Sequence, residues 1–342
     1  MTETEDSPRV AGCLPIELYS RQAGIGIKWM EFSADTLNEP FFFQTIARLR
    51  RSLPPAREFE TGVETLLAAG GRLQSVVPAG LIFHLSRCGS TLIANVLRTA
   101  DHLRILGEAV PINYLLGPYA SNIWPVSLDQ WLGSRGEILR CVVNMYGSDG
   151  GRSSQPLVIK FSSLGILNLP FIRSIWPDVP CIIVVRDPVE IVVSNLDAPT
   201  AWMRMKSVPL LASETFGFFG LDVMAMPPEE YAARCVGKLC QKAVLEATGV
   251  PSGKITIIDY AAINDASLRR IAGLFDLELP MSSSPALRRA LNTQSKDEHA
   301  RTPFWDDRSR KQFAATDRIR AEVERWARQP FEELARFAAQ QA

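Results

Sequence analysis

Residues Phe83 to Leu97 read FHLSRCGSTLIANVL: an apolar run suited to a buried strand, the corner Ser86-Arg87-Cys88-Gly89-Ser90-Thr91, then Leu92, Ile93, Val96 and Leu97 at helical spacing. A strand that turns directly into a helix leaves the helix's first N–H groups unpaired, at the positive end of its dipole. That combination suits a bound anion. Arg87 adds a planar cationic fork for phosphate-like oxygens.

Working outward, the chain alternates strand and helix from about residue 79. Apolar runs predict strands over 80–85, 103–106, 157–161, 181–185 and 255–258, and helical periodicity predicts helices over 91–99, 111–116, 128–145, 166–176, 229–248, 267–275 and 315–339. Glycines at 147, 150 and 151 mark a turn after the 128–145 helix. The alternation implies an α/β fold with a central parallel sheet of about five strands flanked by helices. Residues 1–76 form an extension that packs on a main body over 77–342; Trp29, Phe32 and Phe41-Phe42-Phe43 supply its apolar contacts.

Composition bounds what such a fold can do. The 342 residues are 46% hydrophobic and 22% charged, with 37 Lys plus Arg against 37 Asp plus Glu, so no overall field draws the chain to nucleic acid or an anionic membrane. Any anion site is therefore local. Six cysteines without a CxxC pair read as reduced thiols, the acidic N-terminus MTETEDSPRV does not read as a secretory signal, and no apolar run approaches the roughly 20 residues of a membrane helix. A soluble, cytoplasmic protein is expected.

The corner lacks the GxxxxGK[ST] spacing and lysine of a nucleotide P-loop, which counts against a kinase using ATP and magnesium. A phosphatase-type nucleophile at Cys88 would need an arginine six residues on, where Ala94 stands, so Cys88 reads as packing. A second anion site is suggested by VVRDPVEIVVSNL, residues 184–196. Arg186 ends a strand, Asp187 and Pro188 can open a helix, and Ser194 follows Arg186 by eight residues. Ligands of open parallel sheets bind at strand ends, which brings Arg186 and the corner to one crevice. Two anion-grasping corners suit a ligand with two separated anionic groups.

With these two motifs the sequence resembles the sulfotransferases that use 3'-phosphoadenosine 5'-phosphosulfate (PAPS). Residues 86–91 look like that family's 5'-phosphosulfate loop, with Arg87 at a position that is Lys or Arg in relatives, and Arg186 with Ser194 resembles its 3'-phosphate pair. IIDYAAINDASLRRIAGLFDLEL, 257–279, is similar to the family's late strand, loop and helix, except that Asp259-Tyr260-Ala261 stands where Tyr-Glu-Asp is usual. The resemblance spans about 79–279. It implies a P-loop NTPase-like three-layer fold, donor binding by Ser86, Arg87, Cys88, Gly89, Ser90, Thr91, Arg186 and Ser194, and in-line sulfuryl transfer without a required metal.

Relatives with a histidine base carry it after the third strand, where this chain has Lys160 followed by Phe161 and Ser162. His84, His102 and His299 do not fit that place. The resemblance therefore implies Glu108 of Gly107-Glu108 as the base, with Arg87 and Lys160 neutralising developing charge; like charge from bound phosphates would push the Glu108 pKa up. The Met- and Phe-rich stretch 197–228 reads as packing, or as a lid or acceptor wall. The basic segment holding Lys296, His299, Arg301, Arg308, Arg310 and Lys311 lies where relatives fold a donor-contacting loop. The expected partner is a small-molecule or carbohydrate acceptor, with a homo-oligomer left open; a P-loop kinase and an inactive nucleotide-binding module are the competing readings.

Overall fold

The computed structural model describes residues 10–21, 24–32, 37, 39–52, 57–117, 128–148, 155–249, 254–297 and 301–341. His299 and the glycines at 150 and 151 of the expected turn lie outside them. In the extension, β1 (Cys13–Arg21), β2 (Gly24–Glu31) and β3 (Glu58–Gly62) form an antiparallel sheet in that order. It is tied to the main body by polar contacts at buried or half-buried positions: Tyr146 donates to the Pro15 carbonyl, the Ser20 and Tyr114 hydroxyls lie 2.7 Å apart, and the Asn144 amide bridges Val76 N–H and the Gly70 carbonyl.

The strands of the alternation are β4 (Gly80–His84), β5 (Arg104–Gly107), β6 (Leu157–Lys160), β7 (Cys181–Val185) and β8 (Ile255–Asp259). They make one parallel sheet ordered β5-β6-β4-β7-β8. β4, β6 and β7 are buried at every position, because helices cover both faces of a parallel sheet and leave no solvent side for polar residues. Phe83 and Phe161 stack with ring centres 4.6 Å apart at the centre of that core. The α/β sheet architecture is thus the expected one.

Strand order decides where ligands can sit. From β4 the chain crosses β6 to reach β5, then returns, and later leaves on the opposite side through β7 and β8. The winding reverses at β4, which opens a crevice at its carboxyl end. Along that edge Glu108, Lys160, the corner and Arg186 follow in neighbour order, each at or just after the end of β5, β6, β4 and β7.

Two expected helices are divided. The crossover expected over 166–176 is a 3-10 turn, Ser163–Asn168, followed by a helix Leu169–Ile175, because Pro170 has no N–H and fits only in a first turn. The final helix expected over 315–339 is two, Asp317–Trp326 and Arg328–Gln340. Ala327 leaves helical geometry at φ −123° where the Trp326 carbonyl presses on Gly237 of the helix Pro228–Thr248. Among the described residues no helix is long and apolar enough to cross a membrane.

Candidate active site

The corner is a strained turn held in place from behind. Ser86 and Arg87 have φ of 81° and 53°, Gly89 has 81°, and Glu108 across the crevice has 52°. Left-handed backbone costs a non-glycine residue about 1–3 kcal/mol, and such strain gathers at functional sites. Three of the five non-glycine residues with positive φ among the described residues sit here. The contacts that hold the turn are specific: Ser86 N–H donates to His84 Nδ1 at 3.0 Å and Cys88 Sγ to the Ser86 carbonyl at 2.8 Å. Fully buried Asn195 donates to the Ile191 carbonyl at 2.8 Å and lies 3.4 Å from Ser86 Oγ.

Gly89 caps the helix Ser90–Leu97 without a side chain that would occupy its first N–H groups. Ser90 and Thr91, buried, open that helix. Arg87 Nη2 is anchored on the Ala198 carbonyl at 2.6 Å, while Arg87 Nε is buried without a partner among the described residues. Burial lowers the Arg87 pKa and Glu108 opposes it, yet a guanidinium keeps its charge. Burial also pushes the Cys88 thiol up to about 12, which disfavours the thiolate a nucleophile needs.

Glu108 and Lys160 are paired through Glu108 Oε1 and Lys160 Nζ, the lysine buried at 1% exposure. Glu108 N–H also donates to the Lys160 carbonyl at 2.8 Å, fixing the two strand ends together. His84 Nε2 stands 3.6 Å from the same carboxylate oxygen. The groups of the chain itself act on Glu108 in the opposite direction to the phosphates expected beside it. Burial does act to raise it, but Lys160 and His84 outweigh burial and hold it well below the usual carboxylate range.

His84 is the last residue of β4, and its ring lies inside this cluster. Burial lowers its pKa and leaves it neutral. Because Nδ1 accepts from Ser86, the proton of the neutral ring sits on Nε2, facing Glu108. Nε2 is buried without a hydrogen-bond partner among the described residues, so His84 lies beside the carboxylate and is not bonded to it. Lys296, from the loop after the helix Pro285–Asn292, completes the group. Crowding by surrounding protein, then Arg87 and Lys160, pulls it down to about 8 although the residue is exposed, while Glu108 opposes.

Arg186 joins the corner directly, donating from Nη1 to the Arg87 carbonyl at 3.2 Å. Its ring partner is Tyr260, 4.0 Å below the guanidinium, and that same tyrosine would lie 2.7 Å from a Cβ at Gly89. Arg186 Nε bonds Glu190 at 2.6 Å and Nη2 bonds Asp307 at 2.8 Å. Asp307 gives its other oxygen to buried Lys311 at 2.7 Å. The Arg186 fork is therefore already engaged with carboxylates, a feature the sequence did not announce. Ser194 lies half-buried on the helix Pro188–Asp197, one position before Asn195, and Asp187 caps that helix through Val189 N–H at 2.8 Å. Beside Tyr260 a cleft opens, lined by Leu92, Ile263, Leu291, Phe304 and Arg308.

Of 197–228, Trp202, Phe216 and Phe218 pack with Tyr231 as a core, while Phe219 and Met224 are exposed. His84, Asn195 and Asp307 also stand at this edge, where motif spacing gave no sign of them.

No family model and no curated protein matches the chain. Among solved structures it is similar to a sulfotransferase from Alicyclobacillus acidocaldarius, at 14% identity and TM-score 0.38 over 74% of this chain and 100% of that one. It is also similar to the sulfotransferase domain of the curacin biosynthetic pathway, at 15% and 0.41 over 78% and 98%. A third similar structure is the sulfotransferase domain of the Synechococcus PCC 7002 olefin synthase, at 12% and 0.39 over 79% and 96%.

Proposed function

We propose that the chain is a sulfotransferase that moves a sulfuryl group from PAPS to a hydroxyl or amine of a small-molecule or carbohydrate acceptor. The observation that carries this reading is the single sheet edge on which Glu108, Lys160, the corner and Arg186 stand side by side. The corner residues fit the 5' end of the donor: a buried Arg87 Nε without a partner and an uncapped helix end are an unmet demand for an anion. Arg186 and Lys311 already hold two oxygens of one anion, the Asp307 carboxylate, which is the chemistry a 3'-phosphate asks for. Holding a phosphate requires them to release Asp307.

When bound, PAPS supplies an activated sulfuryl group whose transfer leaves charge on the 5'-phosphate. Arg87 and Lys160 stand where such charge would be neutralised, Ser90, Thr91 and the loop N–H groups add hydrogen bonds, and Glu108 takes the acceptor's proton. Any anion drawn to Lys160 competes with Glu108 for that ammonium and raises the carboxylate's proton affinity.

Calorimetry with adenosine 3',5'-bisphosphate and with ATP, each with and without magnesium, tests the donor class, and labelled PAPS with an acceptor panel tests transfer. Tight, metal-independent bisphosphate binding with transfer is expected. Magnesium-dependent ATP turnover would overturn the reading in favour of a kinase, and bisphosphate binding without any transfer would leave an inactive binding module.

A further inference from the structure

Phe41 belongs to the N-terminal extension, yet its ring centre lies 5.0 Å from Lys160 Nζ, the ammonium paired with Glu108. Phe43 stacks on it, ring centres 5.5 Å apart and 22° between planes, and is 57% exposed. Phe42 between them is buried edge-on against Tyr146, while Phe41 is half-buried. A chain seldom leaves stacked aromatics in water beside a charged cluster unless something covers them.

The turn that carries this pair is rigidly seated. Pro40 rests against Gly107, the residue before Glu108, so closely that a Cβ there would overlap the Pro40 carbonyl. Arg98 donates to the Glu39 carbonyl at 3.0 Å, and Glu39 accepts from Thr45 at 2.6 Å. Gln44 accepts from Phe41 N–H at 3.1 Å and donates to the Lys296 carbonyl at 3.3 Å, binding the turn to the loop on the far side of the crevice. The extension therefore supplies a fixed wall next to the reacting groups. That wall is apolar, whereas every other side chain named at the Glu108 cluster is cationic or polar.

We propose that Phe41 and Phe43 form the acceptor-side ledge of the active site, selecting acceptors that carry a flat apolar ring next to the nucleophilic hydroxyl. The role of that hydroxyl rests on the sulfotransfer reading; the ledge itself is a binding surface. An aromatic ring stacks on it in the offset geometry the two phenylalanines already adopt. A sugar, whose hydroxyls find no polar partner on the two rings, gains less.

The test titrates the full chain with 2-naphthol and with methyl β-D-glucopyranoside, with and without adenosine 3',5'-bisphosphate, by calorimetry. Phe43→Ala, at an exposed position, and Phe41→Leu, which keeps an apolar body, are each expected to weaken 2-naphthol at least about fivefold. Leu245→Ala, exposed on the helix Pro228–Thr248, is expected to leave it unchanged. Undetectable 2-naphthol binding, affinity equal to the parent's in both phenylalanine variants, or tighter binding of the glucoside would overturn the proposal. Naphthol binding lost in the variants, but with no sulfuryl transfer from PAPS to it or to any acceptor, would support the ledge while sinking the sulfotransfer reading; transfer to the glucoside alone would do the reverse.

Discussion

Arg186 donates to the backbone carbonyl of Arg87 across 3.2 Å, so the guanidinium at the end of β7 closes the back of the corner that follows β4. Two loops separated by about a hundred positions thus share one electrostatic neighbourhood. Removing Arg186 is a poor test of ligand binding, because it strands Glu190, 7% exposed, and costs about 3–5 kcal/mol of stability. Asp307→Asn is the discriminating change, since it frees Arg186 and Lys311 without emptying the site. Bisphosphate affinity is expected to rise roughly tenfold, about 1.4 kcal/mol. Unchanged affinity by calorimetry would make Arg186 a structural residue only.

Glu108→Gln keeps the shape of the side chain and removes its ability to take a proton. Turnover is expected to fall by about 10²–10⁴, the usual share of general base catalysis, with bisphosphate binding retained. The substitution leaves buried Lys160 without its counter-ion, so a thermal melt should show a loss on the order of 3 kcal/mol. Turnover near normal would remove Glu108 from the proton transfer.

The pH dependence has opposite signs at the two ends of the cluster. Glu108 is held below the usual carboxylate range, so its pairing with Lys160 stabilises the fold above its unfolded value of about 4.3, and this is lost as pH falls through its lower folded value. No acid limb from Glu108 is therefore expected in kcat/KM above about pH 5 in the free enzyme. Lys296, pulled down to about 8 by burial, Arg87 and Lys160, is charged below that pH and neutral above it. Bisphosphate affinity should be full below pH 8 and decline above it. Lys296→Met should weaken binding at pH 7 and flatten the profile; a profile identical to the parent's would show that Lys296 does not face the ligand.

The sheet was legible because each of its strands is a short apolar run bounded by turn residues, the pattern that burial on both faces demands. Arg87, Glu108, Lys160 and Arg186 were legible for the same reason: they are the polar residues at the ends of those runs. His84 was not, since a histidine closing GLIFH looks like one more strand position until the partner strands are aligned and Glu108 comes beside it. Asp307 and Lys296 come from loops whose placement depends on contacts some hundred or more positions away, with Arg186 and Gln44. Phe41 was visible as an apolar cluster, but nothing local separates the buried Phe42 from its neighbours. The break at Ala327 had no sequence signal of its own, because its cause is the close approach to Gly237.

Gly107 offers the sharpest check on how the extension meets the catalytic strand. It lies directly before Glu108, and an added methyl would meet the Pro40 carbonyl, a backbone atom that cannot rotate away. Gly107→Ala must therefore lift the 39–44 turn off β5 or shift the strand end, at about 1–3 kcal/mol, as in other overpacked sites. The corner proposed to bind the 5' anion is built on β4 and is spared. The expected result is a lowered melting temperature and a large fall in turnover, with bisphosphate affinity held within roughly threefold, about 0.7 kcal/mol. Gly71→Ala supplies the opposite sign, because that glycine sits exposed in the helix Val63–Arg72 with open space at its Cβ position, and the fold should gain about 0.5–1 kcal/mol. Full turnover in Gly107→Ala would mean that the extension packs on the body without shaping its chemistry.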